Sequence, residues 1–556
     1  MSPGLILIVG GFVLLGLRGP VRAAVALALP LLALAAVWLL PDGAPATWAF
    51  LDWRIEPAQA DRLSRLFGTV FALMAFGGAL FSLNQPSRVE LPAALVYAGG
   101  ALGVVFAGDL LTLFVFWELM ALASTVVIWA AGEQAARAAM RYVLMHLLGG
   151  VLLMAGIAAY AAETGSVDFV AMRPAGVGAW LILAGFLVNV AAPPVSAWLP
   201  DAYPEASWSG SVFLSAFTTK TAVYVLLRGY PGTDILIWIG LWMIFYGIIF
   251  ALLENDMRRI LAYSIVNQVG FMVVGCGIGT EMAINGAAAH AFAHIVYKAL
   301  LLMSAGSVLL MTGGVRRCTD LGGLFKSMPY TAWMGIVGAL SISAFPLTSG
   351  FVSKSMINQA AADQHMAWVW LGLTAASAGV FLHAGIKFPW FVFFQRDSGL
   401  RPAEPPLNMR LAMGLFALVC VGLGIFPQPL YALLPNPVDY APYTFEHVVT
   451  MLQLLLFSGL AFFLLLPLMK RTLTLTLDVD WLWRRLFRIA ADEAQGRAAS
   501  AFAEAAADVR GRLARLLASL AHHHGQHGAL SRDWPSGSMA LWATALLAVA
   551  LILYFR

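Results

Sequence analysis

The chain contains 556 residues, of which 61% are hydrophobic and only 11% are charged. Charged residues make up roughly 25% of a typical soluble domain, so this composition excludes a soluble globular enzyme. The formal net charge is +4 and the 33 basic residues are scattered along the chain, which excludes the basic patch of a nucleic-acid-binding protein.

Long apolar segments separated by short polar breaks predict an all-α, polytopic membrane protein. An apolar segment of about 17 to 25 residues can span a bilayer, and the sequence contains about sixteen. In chain order they are residues 3–18, 22–41, 65–85, 92–108, 110–131, 140–163, 175–192, 208–229, 234–253, 259–279, 284–311, 330–357, 366–394, 410–434, 448–469 and 538–555. Basic residues concentrate in the loops after odd-numbered spans, so these loops are predicted to be cytoplasmic and both termini external.

Prolines and polar residues interrupt two of these segments. Pro193, Pro194 and the polar stretch 198–205 follow the seventh span, and Pro346 breaks the twelfth. Irregular backbone at membrane depth needs protein or a water-filled cavity to satisfy it, and paired interruptions point to a transport site. Because the breaks are five spans apart, we predict two five-helix repeats. An odd number of helices per repeat makes the second repeat inverted.

The spans and breaks divide the chain into six predicted segments. These are N-terminal transmembrane helices (1–90), a first five-helix repeat (91–230), a second, inverted repeat (231–395), C-terminal transmembrane helices (396–470), a cytoplasmic amphipathic segment (471–537) and a final transmembrane helix (538–556).

Apolar residues recur at helical spacing in the amphipathic segment. They are Leu482, Leu486, Ile489, Phe502, Val509, Leu513, Leu516 and Leu520. We expect a helix of about 40 residues, roughly 60 Å long, on the cytoplasmic membrane surface or against partner subunits. An ordinary cytosolic helical hairpin is the alternative.

Four of the six lysines lie inside apolar stretches: Lys220, Lys298, Lys354 and Lys387. A lysine at the centre of a membrane helix costs roughly 2.5 to 3.5 kcal/mol. Lysine can lose its proton when desolvated, whereas arginine stays charged. A membrane domain that buries lysines and leaves arginines in loops suggests proton handling.

Two candidate residues lie near the middle of spans in the first repeat. Glu118 is an intramembrane carboxylate, which is a functional candidate by default, with a structural ion pair or an inert protonated acid as the alternative. Lys220 is flanked by Thr219 and Thr221, whose hydroxyls can hydrogen-bond an ammonium. Snorkelling to the interface is the competing explanation for this lysine.

His290, His294 and Lys298 recur every four residues, so they project from nearly one face of the eleventh span. Such a line of titratable groups suits a proton path. Two histidines at this spacing could also share a metal ion, although Lys298 would repel it, or could be packing residues.

Two more lysines follow in the second repeat. Lys354 lies just after the break in the twelfth span. Lys387, with His383 four residues earlier, lies near the cytoplasmic end of the thirteenth, where snorkelling competes with function.

The remaining candidate ligands suggest no cofactor. The three cysteines are too few and too dispersed for a disulfide framework or an iron–sulfur site. The histidines His522, His523, His524 and His527 fit a solvated polar loop better than a metal site.

The ordered motifs between about residues 90 and 395 carry a family resemblance. They are residues 108–120, 198–203, 219–220, 255–264, His294 with Lys298, and 349–354. Together they resemble the antiporter-like membrane subunits of respiratory complex I and of Mrp-type Na⁺/H⁺ antiporters. Tyr203, Glu205 and residues 381–387 look most like the D-type subunit of the antiporters, whereas the long amphipathic segment resembles the lateral helix of complex I's distal subunit.

The resemblance implies two inverted five-helix repeats whose half-channels join along a central polar axis. It implies roles for Glu118 as the fifth-helix glutamate, Lys220 as the connecting lysine, His294 in the second half-channel and Lys354 as the terminal lysine. One position departs from the family pattern, since Asn189 stands where a lysine partner of the glutamate is usual. Glu118 then pairs with Lys220 or a bound sodium ion, or its half-channel works differently.

We therefore predict an ion-translocating subunit of a multi-subunit Na⁺/H⁺ antiporter, placed in the cell inner (plasma) membrane with other membrane subunits as partners. Protons would enter near Glu118, pass Lys220 and the face formed by His290, His294 and Lys298, and leave near Lys354. We expect no cofactor and no redox or hydrolytic site on this chain. The alternatives are a proton-pumping subunit of complex I or a membrane hydrogenase, and an energising subunit for inorganic carbon uptake.

Overall fold

The computed structural model describes residues 2–44, 46–467, 478–524, 528 and 535–555. Parts of the predicted amphipathic segment, including His527, lie outside these residues. Among the described residues the only sheet is an antiparallel pair of short strands, β1 (Trp48–Phe50) and β2 (Trp53–Ile55), in which Trp48 faces Ile55.

The first ten α-helices cover the N-terminal segment and the first predicted repeat. They are α1 (Gly4–Gly16), α2 (Gly19–Leu39), α3 (Arg62–Phe81), α4 (Glu90–Phe106), α5 (Leu110–Trp129), α6 (Glu133–Thr164), α7 (Val177–Val190), α8 (Trp198–Ala202), α9 (Gly210–Leu214) and α10 (Thr218–Gly229), with a 3-10 turn at Tyr203–Glu205. Helix α5, which carries Glu118, begins at Asp109, whose carboxylate accepts a 2.7 Å hydrogen bond from the backbone N–H of Thr112.

The remaining α-helices cover the second predicted repeat and the C-terminal segments. They are α11 (Ile235–Leu253), α12 (Met257–Ile278), α13 (Glu281–Met311), α14 (Pro329–Ile342), α15 (Ser349–Asp363), α16 (Ala367–Val380), α17 (Leu407–Ile425), α18 (Gln428–Tyr431), α19 (Phe445–Leu464), α20 (Asp480–His524) and α21 (Ser536–Tyr554). A 3-10 turn lies at Leu324–Lys326, and α16 continues into π-helical turns at Phe381–Lys387 and Trp390–Phe394.

Every predicted span contains helix among the described residues, but the count of sixteen is not confirmed. Twelve helical segments within the described residues are long and apolar enough to cross a membrane. The other four predicted spans correspond to α1, α4 and α7, which are shorter, and to the divided pair α14 and α15. The chain is therefore a multi-pass membrane protein with both continuous and broken helices.

Both predicted interruptions are present, and a third was missed. The backbone leaves the helical path between α7 and α8 and again between α14 and α15. The eighth predicted span is also divided, because residues 215–217 separate α9 from α10. No proline marks this third break, so the sequence predicted a continuous helix there.

The most deeply buried helices carry most of the predicted site residues. The apolar stretches of α12 and of residues 210–229 that are long enough to span a membrane are entirely buried inside the protein. The corresponding stretch of α13 is 83% buried. Helix α13 packs against α3, α12, α14, α15 and α17. Polar side chains on these helices consequently face protein rather than lipid.

The C-terminal residues from Trp481 onward form a separate unit made of α20 and α21. Helix α20 is continuous over 45 residues, roughly 68 Å at 1.5 Å per residue, so the hairpin alternative is wrong. Its apolar residues Ile489, Phe502, Val509 and Leu513 are exposed within this unit. The side chains of Leu482, Leu486 and His524 lie outside the described part of the chain.

Gly350 allows α14 and α15 to approach at the twelfth-span break. A Cβ atom at this position would collide with the backbone carbonyl of Ser341, which cannot move away as a flexible side chain could. We expect Gly350→Ala to destabilise the protein by about 1 to 3 kcal/mol, the usual range for overpacking.

The measurement is the apparent melting temperature of the detergent-purified protein. Gly422→Ala in α17 is the control, because no atom lies within 4 Å of a Cβ there. An unchanged melting temperature for Gly350→Ala would contradict the close approach of the two helices.

Candidate functional site

Six of the seven predicted site residues are buried in the helical core. Lys220, His290, His294, Lys298 and Lys387 have no exposed surface, and Lys354 is 1% exposed. Glu118 is half-buried. The side chains of the four lysines therefore end inside protein.

Lys220 lies in the first turn of α10, directly after the unexpected interruption. Its Nζ donates to the backbone carbonyl of Ser215 at 2.5 Å and to Thr219 Oγ1 at 3.1 Å. Both acceptors are neutral. The interruption thus supplies the ammonium with a backbone oxygen, in the way that broken membrane helices coordinate cations.

His290 links three helices through hydrogen bonds. Its Nδ1 lies 3.1 Å from Ser353 Oγ on α15, and its Nε2 lies 3.1 Å from Gln268 Oε1 on α12. Tyr297 Oη donates to the same Gln268 oxygen at 3.1 Å. Both ring nitrogens of His290 are engaged, which does not fit the metal alternative. Among the described residues no group of three or more His, Cys, Asp or Glu could hold a metal ion.

His294 is enclosed but has no hydrogen-bond partner for either ring nitrogen among the described residues. The rings of His290 and His294 are 6.4 Å apart between centroids. His294 and Lys298 are four residues apart on one face of α13. His294 is therefore a buried titratable group one helical turn before the lysine of that helix.

Lys298 and Lys354 bind neutral oxygens. Lys298 Nζ donates to Ser264 Oγ at 2.8 Å, and Lys354 Nζ donates to the carbonyl of Ile342, the last residue of α14, at 3.1 Å. The Lys354 ammonium also lies 4.7 Å from the ring centroid of Phe271, a cation–π distance. No carboxylate among the described residues forms an ion pair with Lys220, Lys298 or Lys354.

Lys387 has a different environment. Its Nζ donates to the carbonyls of Ala251, Leu252 and Glu254, at 2.6, 2.8 and 2.7 Å. These three carbonyls are at the C-terminus of α11, which attracts cations. Lys387 is fixed by three acceptors, whereas Lys354 has a single carbonyl acceptor.

Glu118 has no cationic partner among the described residues, and Lys220 donates elsewhere. The Oε1 atom of Glu118 is buried without a hydrogen bond, and it packs against Gly150 on α6. Asn189, the position that departs from the family pattern, lies 2.7 Å from Nδ1 of His146 through its side-chain oxygen.

Sequence reasoning missed several polar residues of this site. His146, Gln268 and Tyr297 lie in predicted spans, His146 between apolar neighbours, Gln268 after Asn267 and Tyr297 before Lys298. A histidine or a polar amide in a membrane helix was the available signal. Their partners come from other helices, so spacing along the chain could not identify them.

A cavity of about 420 Å³ has a mixed polar and apolar lining that includes Ser355, the residue after Lys354. Its polar lining residues include Asn358, Gln359, Thr374, Glu446 and His447, from α15, α16 and the start of α19. These helix ends belong to the side predicted to be external. Ser355, which lines the cavity, follows Lys354, the last lysine of the buried series, in the chain.

The comparisons with known proteins identify related membrane subunits. Residues 107–380 match the family model described as NADH:quinone oxidoreductase/Mrp antiporter, transmembrane. The chain is 30% identical to the N subunit of NADH-quinone oxidoreductase from Desulforudis audaxviator, over 79% of this chain and 98% of that protein.

Two antiporter subunits are similar over shorter parts. Identity is 32% to the A/B subunit of a probable K⁺/H⁺ antiporter from Rhizobium meliloti, over 60% of this chain and 36% of that protein. It is also 32% to the D subunit of the Na⁺/H⁺ antiporter from Alkalihalophilus pseudofirmus, over 52% and 63%. The chain thus matches less than two thirds of the length of these two relatives.

Two solved complexes contain a chain of the same fold. One is the Mrp complex of Dietzia sp. DQ12-45-1b, with 21% identity, a TM-score of 0.65 and coverage of 82% of this chain and 95% of that one. The other is an archaeal membrane-bound sulfane sulfur reductase, with 24% identity, a TM-score of 0.69 and coverage of 82% and 98%.

The different environments of Lys387 and Lys354 predict different effects on stability. We expect Lys387→Met to be less stable than Lys354→Met, because it removes three charge-assisted hydrogen bonds rather than one. Each such bond contributes about 1.5 to 3 kcal/mol. Both variants exchange a buried lysine for a side chain of similar length, so each controls for the other.

Thermal unfolding of the purified variants measures the difference. A melting temperature for Lys387→Met equal to or above that of Lys354→Met would show that the three carbonyls do not hold α11 in place through this ammonium.

Proposed function

Since this chain belongs to the NADH:quinone oxidoreductase/Mrp antiporter family of membrane subunits, we propose that it moves protons in exchange for a monovalent cation, as one member of a hetero-oligomeric antiporter. The observation that carries the proposal is the buried series of titratable side chains from Lys220 to Lys354. Charged or titratable residues inside a membrane domain mark ion pathways, because their burial is costly without a role.

The proposed path begins at Glu118 and reaches Lys220 in the first repeat. From Lys220 the path continues to His294 on α13, a helix that packs against α10. The two ring nitrogens of His294 have no hydrogen-bond partner among the described residues. Lys298 and His290 lie on the same face of α13. His290 then contacts Ser353, the neighbour of Lys354, through a 3.1 Å hydrogen bond.

The neutral acceptors support transfer rather than a purely structural role. A lysine paired with a buried carboxylate is held in its charged form, since loss of the proton would leave an unpaired buried anion. Lys220, Lys298 and Lys354 bind hydroxyl and carbonyl oxygens instead. Each can release a proton without leaving an anion beside it.

We propose that protons leave to the external side through the cavity that Ser355 lines. Serine, amide, threonine, glutamate and histidine side chains line this space. Lys387 joins the path only as a proposed member at its cytoplasmic side, where three carbonyls hold it.

A redox-driven proton pump is the second candidate. The similarity to an N subunit of NADH-quinone oxidoreductase over 98% of that protein favours it. In that case partner subunits would supply the electron-transfer chemistry. The visible absorbance of the purified native complex separates the candidates: flavin and iron–sulfur bands support the redox pump, and their absence from an active, intact complex supports the antiporter.

Glu118 and Lys220 are the two ends of the proposed path in the first repeat, and removing either group should strongly reduce proton exchange. We expect Glu118→Gln and Lys220→Met each to lower cation-dependent proton flux at least about tenfold, since a positioned proton-transfer group contributes factors of about 10² to 10⁴. The assay follows the pH gradient of everted membrane vesicles containing the whole complex after addition of Na⁺ or K⁺.

Lys326→Met is the matched control. Lys326 is an exposed loop residue that pairs with Asp397 at 2.8 Å, outside the buried series. Near-normal flux in both Glu118→Gln and Lys220→Met would refute the proposed function.

A further inference from the structure

Three buried polar atoms without hydrogen-bond partners among the described residues lie on α6 and on its neighbours α5 and α7 in the first repeat. Glu118 Oε1, His146 Nε2 and Asn189 Nδ2 are buried, and none has a hydrogen-bond partner among the described residues. His146 is 1% exposed and Asn189 is completely buried. Buried polar groups are nearly always paired, so three unpaired atoms on adjoining helices point to a ligand or a transferred proton.

The hydrogen bond between His146 and Asn189 leaves one ring nitrogen available. Nδ1 faces the Asn189 side-chain oxygen at 2.7 Å, which makes Nδ1–H the donor and leaves the Nε2 lone pair free. Protonation at Nε2 would produce an imidazolium that keeps the same bond to Asn189. The amide is neutral, so it does not repel this charge.

The ring of His146 is held in place by aromatic neighbours. Its centroid lies 4.1 Å from the ring of Tyr142 and 4.6 Å from that of Trp198. Trp198 is itself fixed, because its Nε1–H donates to the Val188 carbonyl at 2.9 Å. The ring is therefore oriented by its neighbours while its Nε2 edge stays available for a proton.

Glu118 approaches α6 one turn away from His146. Its carboxyl lies against Gly150, where a Cβ would collide with it, while Gly149 faces the Asn189 oxygen. Residues 146 and 150 are separated by about one helical turn, or 5.4 Å along the axis. The Glu118 carboxyl therefore contacts α6 on the turn next to the one that carries His146.

A chain of hydroxyl groups leads from the next turn of α6 to the helix of Lys220. Tyr142 Oη is hydrogen-bonded to Ser124 Oγ at 2.9 Å and to Thr218 Oγ1 at 3.2 Å. Thr218 is also bonded to Tyr97 Oη at 2.5 Å, and it lies two residues before Lys220.

We propose that His146, oriented by Asn189, is a proton-binding site between Glu118 and Lys220. The inference rests on the proposed function. In the inward transfer the O–H bond of the Glu118 carboxyl breaks and an N–H bond forms at Nε2, leaving a carboxylate and an imidazolium. The imidazolium then releases a proton through the hydroxyl chain to the neutral amine of Lys220 and returns to the neutral ring, and the Glu118 carboxylate takes up a new proton.

The other titratable groups around this ring are compensated or neutral. On α6 within two turns of His146 they are Arg141 and Tyr142, and on α5, α8 and the adjoining 3-10 turn they are Glu118, Asp201, Tyr203 and Glu205. Arg141 pairs with Asp201 at 2.6 Å, and Glu205 pairs with Arg316 at 3.1 Å. Helix α7 contributes Asn189 and no titratable side chain. Glu118 is thus the carboxylate in this group with no cationic partner among the described residues.

The test compares proton flux in everted vesicles that contain the whole complex. We expect His146→Gln to lower the proton flux at least tenfold. Adding Asn189→Lys to His146→Gln should restore part of that flux. Because an ordinary lysine has a pKa of about 10.4 and histidine about 6.5, the restored flux should have its optimum at a more alkaline pH. His365→Asn is the control, since His365 is exposed and its positive φ of 54° is tolerated by asparagine.

Each outcome decides between the possibilities. Full flux and an unchanged pH profile in His146→Gln overturn the inference, while inactive Glu118→Gln and Lys220→Met in the same vesicles leave the proposed function standing. An assembled His146→Gln complex whose flux Asn189→Lys does not restore also overturns it, because a structural role predicts that result. If His146→Gln does not assemble, Asn189→Asp decides: a carboxylate there should shift the optimum to more alkaline pH, and an unshifted profile refutes the inference.

Discussion

An ammonium group buried at membrane depth must be solvated by the protein, and here helix ends provide the oxygen atoms. Lys220 takes the Ser215 carbonyl at the break between α9 and α10, Lys354 takes the last carbonyl of α14, and Lys387 takes three carbonyls at the end of α11. In a membrane, the N–H and C=O groups of irregular backbone need hydrogen-bond partners, just as a buried charge does. Broken helices and buried lysines therefore satisfy each other's requirements.

This solution differs from an ion pair in its consequence for charge. Removing the proton from a lysine that is bound to carbonyls leaves a neutral amine beside neutral oxygens. Removing it from a buried ion pair would leave an isolated carboxylate, which is strongly unfavourable. The neutral network of Gln268, Tyr297 and Ser353 around His290 has the same property, because hydroxyl and amide groups can rotate to donate or accept. A chain of such sites can pass charge without holding it at one position.

The sequence predicted the helical class, the long helix α20 and the breaks after α7 and within the twelfth span, because apolar length and proline act locally. It did not predict the break at residues 215–217, where no proline is present and the lysine interaction is tertiary. It also missed the π-helical turns that bring Lys387 to the end of α11. Sequence spacing grouped His290, His294 and Lys298 on one helix, but Ser353, Gln268 and Asn189 act through partners distant in the chain. Contacts between helices, unlike periodicity along one helix, leave no simple pattern in a single sequence.

Under the proposed function, the Glu118 end of the first repeat handles charge differently from the lysine sites. The second half contains Lys298 and Lys354, whose ammonium groups are positive whenever a proton is present on them. In the first half the amide at position 189 is always neutral, and Glu118 is left without a fixed cation among the described residues. A histidine at position 146 becomes positive only when it receives a proton, and donation by Glu118 creates the carboxylate at the same moment. The opposite charges would then arise together. The imidazolium becomes neutral when it passes the proton on, and the carboxylate becomes neutral when Glu118 takes up the next proton.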